Sequence, residues 1–243
     1  AQPPRVALTF DDLPSHGPLP PGVSRVDVAR SIIDTLRTHK APPIYGFINA
    51  GQVDAAPADG EVLRLWRAAG FPLANHAFSH MDLHANTAEA FEQDVLANEP
   101  ALRSLMADGN WHWFRFPYLR EGDTPEKYTR IRAFLAKHHY RTAQVTLDFN
   151  DYAYNEPYAR CVARADGDGI AWLKQSYLER AAASLTRGQD AARAIFGRDI
   201  GHVMLLHIGA FETVMLPHLL DLLRERGFAL TTLEDAQADA AYA

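Results

Sequence analysis

The stretch Val6-Ala7-Leu8-Thr9-Phe10-Asp11-Asp12 is a short apolar run that ends in two aspartates. A compact apolar run of this kind is typical of a strand that is buried on both faces, as in a parallel sheet. Two carboxylates directly after such a strand lie at its carboxyl end, where α/β barrels collect their polar functional groups. The stretch therefore predicts a first parallel strand with two acidic side chains at its functional end.

Apolar runs and helical patterns alternate along the rest of the chain. Six further strand-like runs cover residues 44–48, 71–74, 111–116, 141–147, 203–206 and 228–233. Pro100 predicts a break near Asn98 in the helical pattern 87–106, and the pattern 170–196 predicts one long helix or two helices interrupted near Gly188. Strands that alternate with helices favour a parallel α/β fold, barrel-like or, as the alternative, an open doubly wound sheet.

Composition argues against several classes of protein. The chain has 243 residues, of which 47% are hydrophobic and 22% charged, as expected for a globular protein. A net charge of −6 without a Lys/Arg-rich cluster argues against nucleic acid as a partner. No apolar run approaches the roughly 20 residues that span a bilayer. Cys161 is the only cysteine, so no intramolecular disulfide is expected.

Two histidines four residues apart supply metal-ligand chemistry. On a helical turn, His76 and His80 would share one face and could bind one metal. With a strand-end aspartate they form the ligand set of a catalytic divalent metal, which keeps positions open for water and substrate. Because side chains alternate along a strand, Asp11 and Asp12 are expected to point different ways, one toward the metal and one acting as a base. The pattern predicts a metal-dependent hydrolase.

An arginine stands at the end of the fourth strand-like run. A buried Arg115 would need a carboxylate partner, and Asp11 is the expected one. Pro117 fixes the following turn, so the backbone N–H of Tyr118 is a candidate oxyanion donor.

A histidine closes the sixth apolar run. His207 could be a core histidine satisfied by the backbone, but its position at a strand end favours a catalytic role. Asp148 or Asp151 could accept its second ring proton and favour the imidazolium form.

As a set, these segments resemble the polysaccharide deacetylases (carbohydrate esterase family four, with the NodB-type homology domain). The matching segments, in order, are residues 9–12, 46–51, 76–80, 115–118, 148–151 and 205–207. The resemblance implies a single catalytic domain over residues 1–243, built as a distorted (β/α)7-type barrel with parallel strands and outer helices. Residues at about 150–200 form a longer stretch than in compact members, and we expect an insertion there that faces the substrate.

The resemblance also implies roles for the central residues. Asp12, His76 and His80 would bind the divalent metal, zinc in the first place with cobalt or nickel as alternatives. Asp11 would be the general base and His207 the general acid.

Further residues would support the reaction. Arg115 would orient Asp11, and the pair Asp148 and Asp151 would tune His207 and Arg115, with Asp151 favoured as the partner of His207. The Tyr118 N–H would help to stabilise the oxyanion. The candidate substrate-binding side chains are Tyr118, Tyr152, Tyr154 and His16. Tyr152 stands where the family commonly has tryptophan, so the wall of the site is expected to differ there.

The expected substrate is an acetylated carbohydrate, most directly N-acetylglucosamine units in a chitin- or peptidoglycan-type poly- or oligosaccharide. An O-acetyl ester (acetyl-xylan) esterase, a small-amide hydrolase and a non-catalytic carbohydrate-binding protein on the same fold remain alternatives. Such polymers lie outside the cytoplasm, and the chain begins at Ala1 without Met, so a periplasmic or secreted location is expected. The oligomeric state is not predicted.

Overall fold

The computed structural model describes residues 3–107 and 109–243 of the chain. Within these residues, seven strands form one sheet in the order β5-β4-β3-β2-β1-β6, with β7 paired to β1. The strands are β1 (Arg5–Leu13), β2 (Tyr45–Ile48), β3 (Leu73–Asn75), β4 (Trp113–Phe114), β5 (Arg141–Thr142), β6 (Gly201–His207) and β7 (Ala229–Leu230). The pairs β2–β3, β3–β4, β4–β5 and β1–β7 are parallel, which confirms the predicted parallel α/β architecture.

Ten α-helices lie between or after these strands in the described residues. They are α1 (Arg25–Thr38), α2 (Gly51–Ala55), α3 (Gly60–Ala68), α4 (Ala88–Ala97), α5 (Glu99–Met106), α6 (Pro125–Lys137), α7 (Asn155–Ala163), α8 (Gly167–Phe196), α9 (Ala210–Glu225) and α10 (Leu233–Gln237). Helix α1 begins with a capping box between Ser24 and Asp27, which satisfies backbone N–H groups of its first turn. No described helix has the length and apolarity needed to cross a membrane.

Contacts divide the chain into two compact units. One contains the chain up to Phe10 with Ser15–Ile44 and Gln144–Ala243, and we call it the β6 unit. The other contains Asp11–Pro14 with Tyr45–Ala143, and we call it the β3 unit. In the β6 unit, α9 packs against α1, α7 and α8; in the β3 unit, α5 packs against α3, α4 and β3.

Proline and glycine act differently in the two long helical patterns. The predicted break near Asn98 is present, because α4 ends at Ala97 and Pro100 opens α5. Of the two alternatives for residues 170–196, the structure has the single long helix, since α8 continues through Gly188 to Phe196. A Cβ atom at Gly188 would lie 2.3 Å from Leu147 Cδ2, so this glycine allows a close approach between helix and side chain.

The strand boundaries differ from the predicted runs. Strand β1 continues through the aspartates to Leu13, whereas β4 and β5 contain only two residues each. Residues 143–147 leave the sheet after β5 and return as a single parallel bridge between Leu147 and Met204. Residues 150–200, where an insertion was predicted, form a short 3-10 helix (Asp151–Tyr154), α7 and the whole of α8.

Candidate functional site

Both aspartates of β1 reach the same imidazole in the β3 unit. Asp12 Oδ1 lies 3.2 Å from His76 Nε2, and Asp11 Oδ2 lies 3.6 Å from the same atom. Asp12 has a φ of 65°, a left-handed conformation that interrupts the alternation of side chains along the strand. The expectation that the two carboxylates point different ways was therefore wrong, because it assumed regular strand geometry through residue 12.

His76 and His80 come together in a loop rather than on a helical turn. Residues 76–80 follow β3 without helical structure, and Ala77 and His80 have φ values of 63° and 56°. These reversals bring His80 Nε2 to 3.3 Å from Asp12 Oδ1. The predicted helical turn was wrong, but the two imidazoles and the carboxylate still converge.

The three converging groups fit a divalent metal. The ligand atoms of Asp12, His76 and His80 all lie within 4.8 Å of one another. A tetrahedral zinc site with ligand bonds of about 2.0–2.1 Å has donor atoms about 3.3 Å apart. The separations of 3.2 and 3.3 Å from Asp12 Oδ1 match that spacing. This group could therefore bind a metal, as predicted.

The buried surroundings of His76 fix its orientation. Its Nδ1 lies 2.6 Å from the Arg115 carbonyl oxygen, so Nδ1–H donates there and Nε2 is directed toward the carboxylates. Burial lowers the pKa of His76, but the Asp11 and Asp12 carboxylates and the Arg115 carbonyl outweigh burial and raise it overall. The cluster thus favours positive charge at this position, whether from a proton or from a cation.

Three buried asparagines hold the loop that carries His76. Asn49 Nδ2 donates to the carbonyls of His76 and Ala77, at 2.7 and 2.9 Å. Asn75 Oδ1 accepts from Ala77 N, and Asn98 Nδ2 donates to Asn75 Oδ1, both at 2.9 Å. No role was predicted for these three asparagines. The signal in the sequence was the position of these asparagines. Two lie at the ends of neighbouring strands, and the third lies at the helix break before a proline.

Arg115 binds the aspartate that was predicted to be its partner. Its Nη1 donates to Asp11 Oδ1 at 2.9 Å, and its Nε donates to the Ala143 carbonyl at 2.9 Å. The guanidinium is fully buried and lies 4.6 Å from the centre of the Phe47 ring. Asp11 is thereby held at one oxygen, while Oδ2 faces His76.

Tyr118 lies on the exposed side of the metal-ligand group. Its ring meets the His80 ring edge-on at 4.6 Å, and 59% of the residue surface is exposed. Tyr118 and Leu119 both have positive φ, 58° and 54°, so the chain turns sharply after Pro117. The role of the Tyr118 N–H as an oxyanion donor stays a prediction.

In the β6 unit, His207 pairs with one of its two candidate aspartates. Asp151 Oδ1 lies 2.7 Å from His207 Nδ1, and Oδ2 accepts from the His207 backbone N–H at 2.7 Å. Asp148 instead accepts from the backbone N–H of Asn150 at 2.8 Å and stabilises a turn. With Nδ1 held by Asp151, His207 Nε2 is the nitrogen that can exchange a proton.

Two of the proposed substrate-binding side chains surround His207. The His16 and Tyr152 rings lie 5.1 and 5.3 Å from the His207 ring, measured between centroids. The His16 N–H donates to the Ile208 carbonyl at 2.8 Å, which ties the loop after β1 to the end of β6. Tyr152 is 44% exposed and so presents a ring surface to solvent.

Tyr154 differs from its predicted position. Only 4% of its surface is exposed, its ring stacks on Phe211 at 5.6 Å, and its hydroxyl lies 2.8 Å from Ser176 Oγ. It packs within the β6 unit and does not present a sugar-binding surface, because the 3-10 helix turns it toward α8 and α9.

The sequence matches the profile of a family described as Polysaccharide deacetylase over residues 1–142, more than half of the chain. The chain belongs to the polysaccharide deacetylase family. It is 31% identical over 115 residues to a chitooligosaccharide deacetylase of Sinorhizobium fredii, and the match covers 47% of each protein. The aligned region thus spans about half the length of that curated relative.

Solved structures of carbohydrate esterase family four share the fold. A chitin deacetylase from Colletotrichum lindemuthianum has a TM-score of 0.63 at 22% identity, covering 99% of this chain and 90% of its own. A family 4 esterase from Streptomyces lividans, in complex with acetate, has a TM-score of 0.60 at 20% identity and 97% coverage of both chains. A family pseudoenzyme from Bacillus anthracis has a TM-score of 0.64 at 14% identity, covering 96% of this chain and 65% of its own. This likeness confirms the predicted fold class, a distorted (β/α)7-type barrel with parallel strands and outer helices.

Proposed function

We propose that this family member is a metal-dependent hydrolase that removes acetyl groups from N-acetylglucosamine-containing poly- or oligosaccharides of the chitin or peptidoglycan type. The observation that carries the proposal is the convergence of Asp12, His76 and His80 in a chain of the polysaccharide deacetylase family. The relative from Sinorhizobium fredii, a chitooligosaccharide deacetylase, supports this substrate class. Because such polymers lie outside the cytoplasm, we also propose a periplasmic or secreted location.

Asp12, His76 and His80 would hold the metal, which we propose to be zinc, with cobalt or nickel as alternatives. A bound metal of this kind lowers the pKa of a water molecule toward about 7 and polarises the acyl oxygen. Two imidazoles and one carboxylate would leave a coordination position open for water or substrate.

The buried aspartate next to the ligands is the proposed base. Arg115 holds Asp11 Oδ1, so Oδ2 is the oxygen that can accept the proton of the attacking water. As the water oxygen bonds to the acetyl carbon, negative charge develops on the carbonyl oxygen, and the Tyr118 N–H is the proposed donor to it.

The leaving nitrogen requires a proton when the amide C–N bond breaks. His207 is the proposed acid, because Asp151 binds its Nδ1 and orients the ring, and Nε2 is the ring nitrogen that would transfer the proton. The products are acetate and a free amine on the sugar. An ester substrate would pass through the same steps with an alcohol as leaving group.

The proposal is tested by acetate release from a substrate panel. The panel contains chitooligosaccharides, peptidoglycan, acetylated xylan and an aryl acetate, each assayed with chelated protein before and after addition of zinc or cobalt. We expect metal-restored release from the N-acetylglucosamine substrates and loss of about 100-fold or more in Asp11→Asn. The matched control is Asp34→Asn, the same change at an exposed position on α1.

Three other outcomes would contradict the proposal in different ways. Release from acetylated xylan alone would indicate an O-acetyl esterase, and release from the aryl acetate alone would indicate a small-substrate hydrolase. Binding of chitooligosaccharide without any acetate release would indicate a carbohydrate-binding protein, in line with the pseudoenzymes that share the fold.

A further inference from the structure

A second buried carboxyl group lies behind His207 in the β6 unit. Glu212 stands in the first turn of α9, five residues after His207, and only 2% of its surface is exposed. The start of α9 is fixed by Asn155, whose Oδ1 accepts from the Phe211 N–H at 3.1 Å. Gly209 permits this contact, because a Cβ there would lie 2.1 Å from Asn155 Nδ2. The fold thus places an acidic side chain inside the protein next to the proposed acid.

The two oxygens of Glu212 have different surroundings. The Tyr177 hydroxyl donates to Oε1 at 2.6 Å. No N–H or O–H group in the described residues reaches Oε2, although this atom is fully buried. The polar group beside Glu212 is the Asp151 carboxylate, which is itself an acceptor. A proton on Oε2 would allow this buried oxygen to donate a hydrogen bond to the neighbouring acceptor.

The charges around this pair favour one proton on Glu212. Asp151 accepts from both the Nδ1 and the backbone N of His207, so both of its carboxylate oxygens already serve as hydrogen-bond acceptors. Burial and the Asp151 charge both oppose ionisation of Glu212, and together they raise its pKa well above the ordinary value. The helix N-terminus favours an anion at Glu212, but that effect is small compared with burying a second negative charge beside the first.

The other titratable groups that face this site come from three directions. They are Tyr177 on α8, Tyr152 and Tyr154 on the 3-10 helix, and His16 on the loop after β1. Burial and the nearby carboxylates raise the pKa of Tyr177 well above the ordinary value, so it remains a hydrogen-bond donor. The His207 charge and the Tyr177 hydrogen bond favour the ionised form of Glu212, but burial and the Asp151 charge outweigh them.

We infer that Glu212 is a positioning residue whose protonated carboxyl group accepts from Tyr177 and donates to Asp151, holding Asp151 against His207. The hydrogen bond also reduces the negative potential that Asp151 exerts on His207, so it sets the pKa at which that imidazole gives up its proton. The inference rests on the proposed function only in taking His207 as the acid.

The direct test is to measure the pKa of His207 by NMR, from the chemical shifts of its ring carbons and protons during a pH titration. Glu212→Gln keeps an acceptor for Tyr177 and a neutral donor for Asp151, so the pKa of His207 should stay within about 0.3 of wild type. Glu212→Met fills the space without a donor, so the pKa of His207 should rise by about 0.5 or more. Glu225→Gln, at the exposed end of α9, is the matched control.

Either of two results would overturn the inference. A fall of about one unit or more in Glu212→Gln would mean that an ionised carboxylate had been removed. An unchanged pKa of His207 in both Glu212 variants would mean that the two groups are not coupled.

A second measurement needs only Glu212→Gln and therefore holds if Glu212→Met fails to fold. A raised folded-state pKa stabilises the wild type below the unfolded-state value of about 4.3, and this stability is lost as the pH rises toward the folded-state pKa. Glutamine has no such loss, so the melting temperature of the variant minus that of wild type should increase between pH 4.5 and 8. A constant difference would contradict a protonated Glu212.

These measurements need no substrate, so they separate the inference from the proposed function. If wild type releases acetate, the alkaline limb of kcat/KM should move upward in Glu212→Met and remain in place in Glu212→Gln. If the predicted shifts in the pKa of His207 are found without acetate release from any substrate, the proposed function fails and the role of Glu212 stands.

Discussion

At the scale of single residues, Arg115 explains how the carboxylate that we propose as the general base can be buried. Its guanidinium donates to Asp11 and to the Ala143 carbonyl, and none of its surface is exposed. A carboxylate removed from water needs such a partner, since an unpaired buried charge is strongly destabilising. The planar guanidinium can serve both acceptors at once, which a lysine ammonium on a flexible stem would not reproduce. The position of the proposed base is thus determined by one side chain.

Asn49 plays the corresponding part for the metal ligands. Its side-chain amide satisfies two consecutive backbone carbonyls, those of His76 and Ala77, where the chain takes a left-handed turn. A loop with this conformation is held by such external hydrogen bonds, because it has no ladder or helical bonds of its own. The orientation of His76 therefore depends on a residue that contacts no ligand atom.

We predict that Asn49→Leu weakens both metal binding and stability. Two buried carbonyls would lose their donor, at a cost of about 1–3 kcal/mol each, and zinc affinity should fall about 10- to 100-fold. Chelator competition would give the zinc affinity, and urea unfolding would give the stability. Asn86→Leu is the control, because that amide donates to one carbonyl, Asp82 O, in the same region of the chain and is part-exposed. Unchanged zinc affinity in Asn49→Leu would contradict the assigned role.

At the scale of elements, the close approach of α8 to Leu147 accounts for a glycine in a helix interior. Gly188 lies within the 30-residue helix α8, where glycine is unfavourable by about 1 kcal/mol relative to alanine. Leu147 is fully buried and occupies the space that a side chain at residue 188 would need. Packing therefore outweighs helix propensity at this position.

We predict that Gly188→Ala destabilises the protein although alanine is the better helix former. Overpacking against Leu147 should cost about 1–3 kcal/mol, more than the gain in propensity. The double variant Gly188→Ala with Leu147→Ala should be less destabilised than the sum of the two single variants. Gly167→Ala in the same helix is the control, since nothing lies within 4 Å of a Cβ there. Thermal unfolding of the four variants tests this, and equal behaviour of Gly188→Ala and Gly167→Ala would contradict it.

The sequence allowed prediction of features that depend on short-range chemistry. The positions of the apolar runs along the chain and the helix break at Pro100 agree with the structure, whereas the preference for Asp151 over Asp148, which also agrees, came from the resemblance to the polysaccharide deacetylases. The first two follow from local rules, namely the burial of apolar runs and the missing N–H of proline. The pairing of Arg115 with Asp11 followed from the need to neutralise a buried cation.

Features that depend on backbone reversals or on distant partners could not be predicted. The left-handed conformation of Asp12 and the loop conformation of His80 bring the ligands together, yet neither residue type requires that conformation. The sequence left one long helix and two helices interrupted near Gly188 equally open, and the position of Leu147, 41 residues earlier, explains why the continuous helix carries a glycine there. Glu212 had no local signal at all, since a first-turn glutamate is ordinarily an exposed helix-stabilising residue.

At the scale of the whole molecule, all three candidate metal ligands belong to one compact unit. Asp12, His76 and His80 lie in the β3 unit, at the end of β1 and after β3. A ligand that binds only the folded state stabilises it in proportion to its concentration over its dissociation constant. Metal binding should therefore appear in the unfolding of the protein independently of any substrate.

We predict that zinc at about 100 times its dissociation constant adds about 2.7 kcal/mol and raises the melting temperature by about 5–10 °C. Asp12→Asn removes the charged metal ligand that lies close to both imidazoles and should abolish most of this thermal shift. Asp34→Asn should retain the shift. Hydrogen exchange should slow on zinc addition at the end of β1 and in residues 76–80, because openings there would release the metal. An equal thermal shift in Asp12→Asn and wild type would show that zinc binds elsewhere, and the proposed hydrolytic site would then lack its metal.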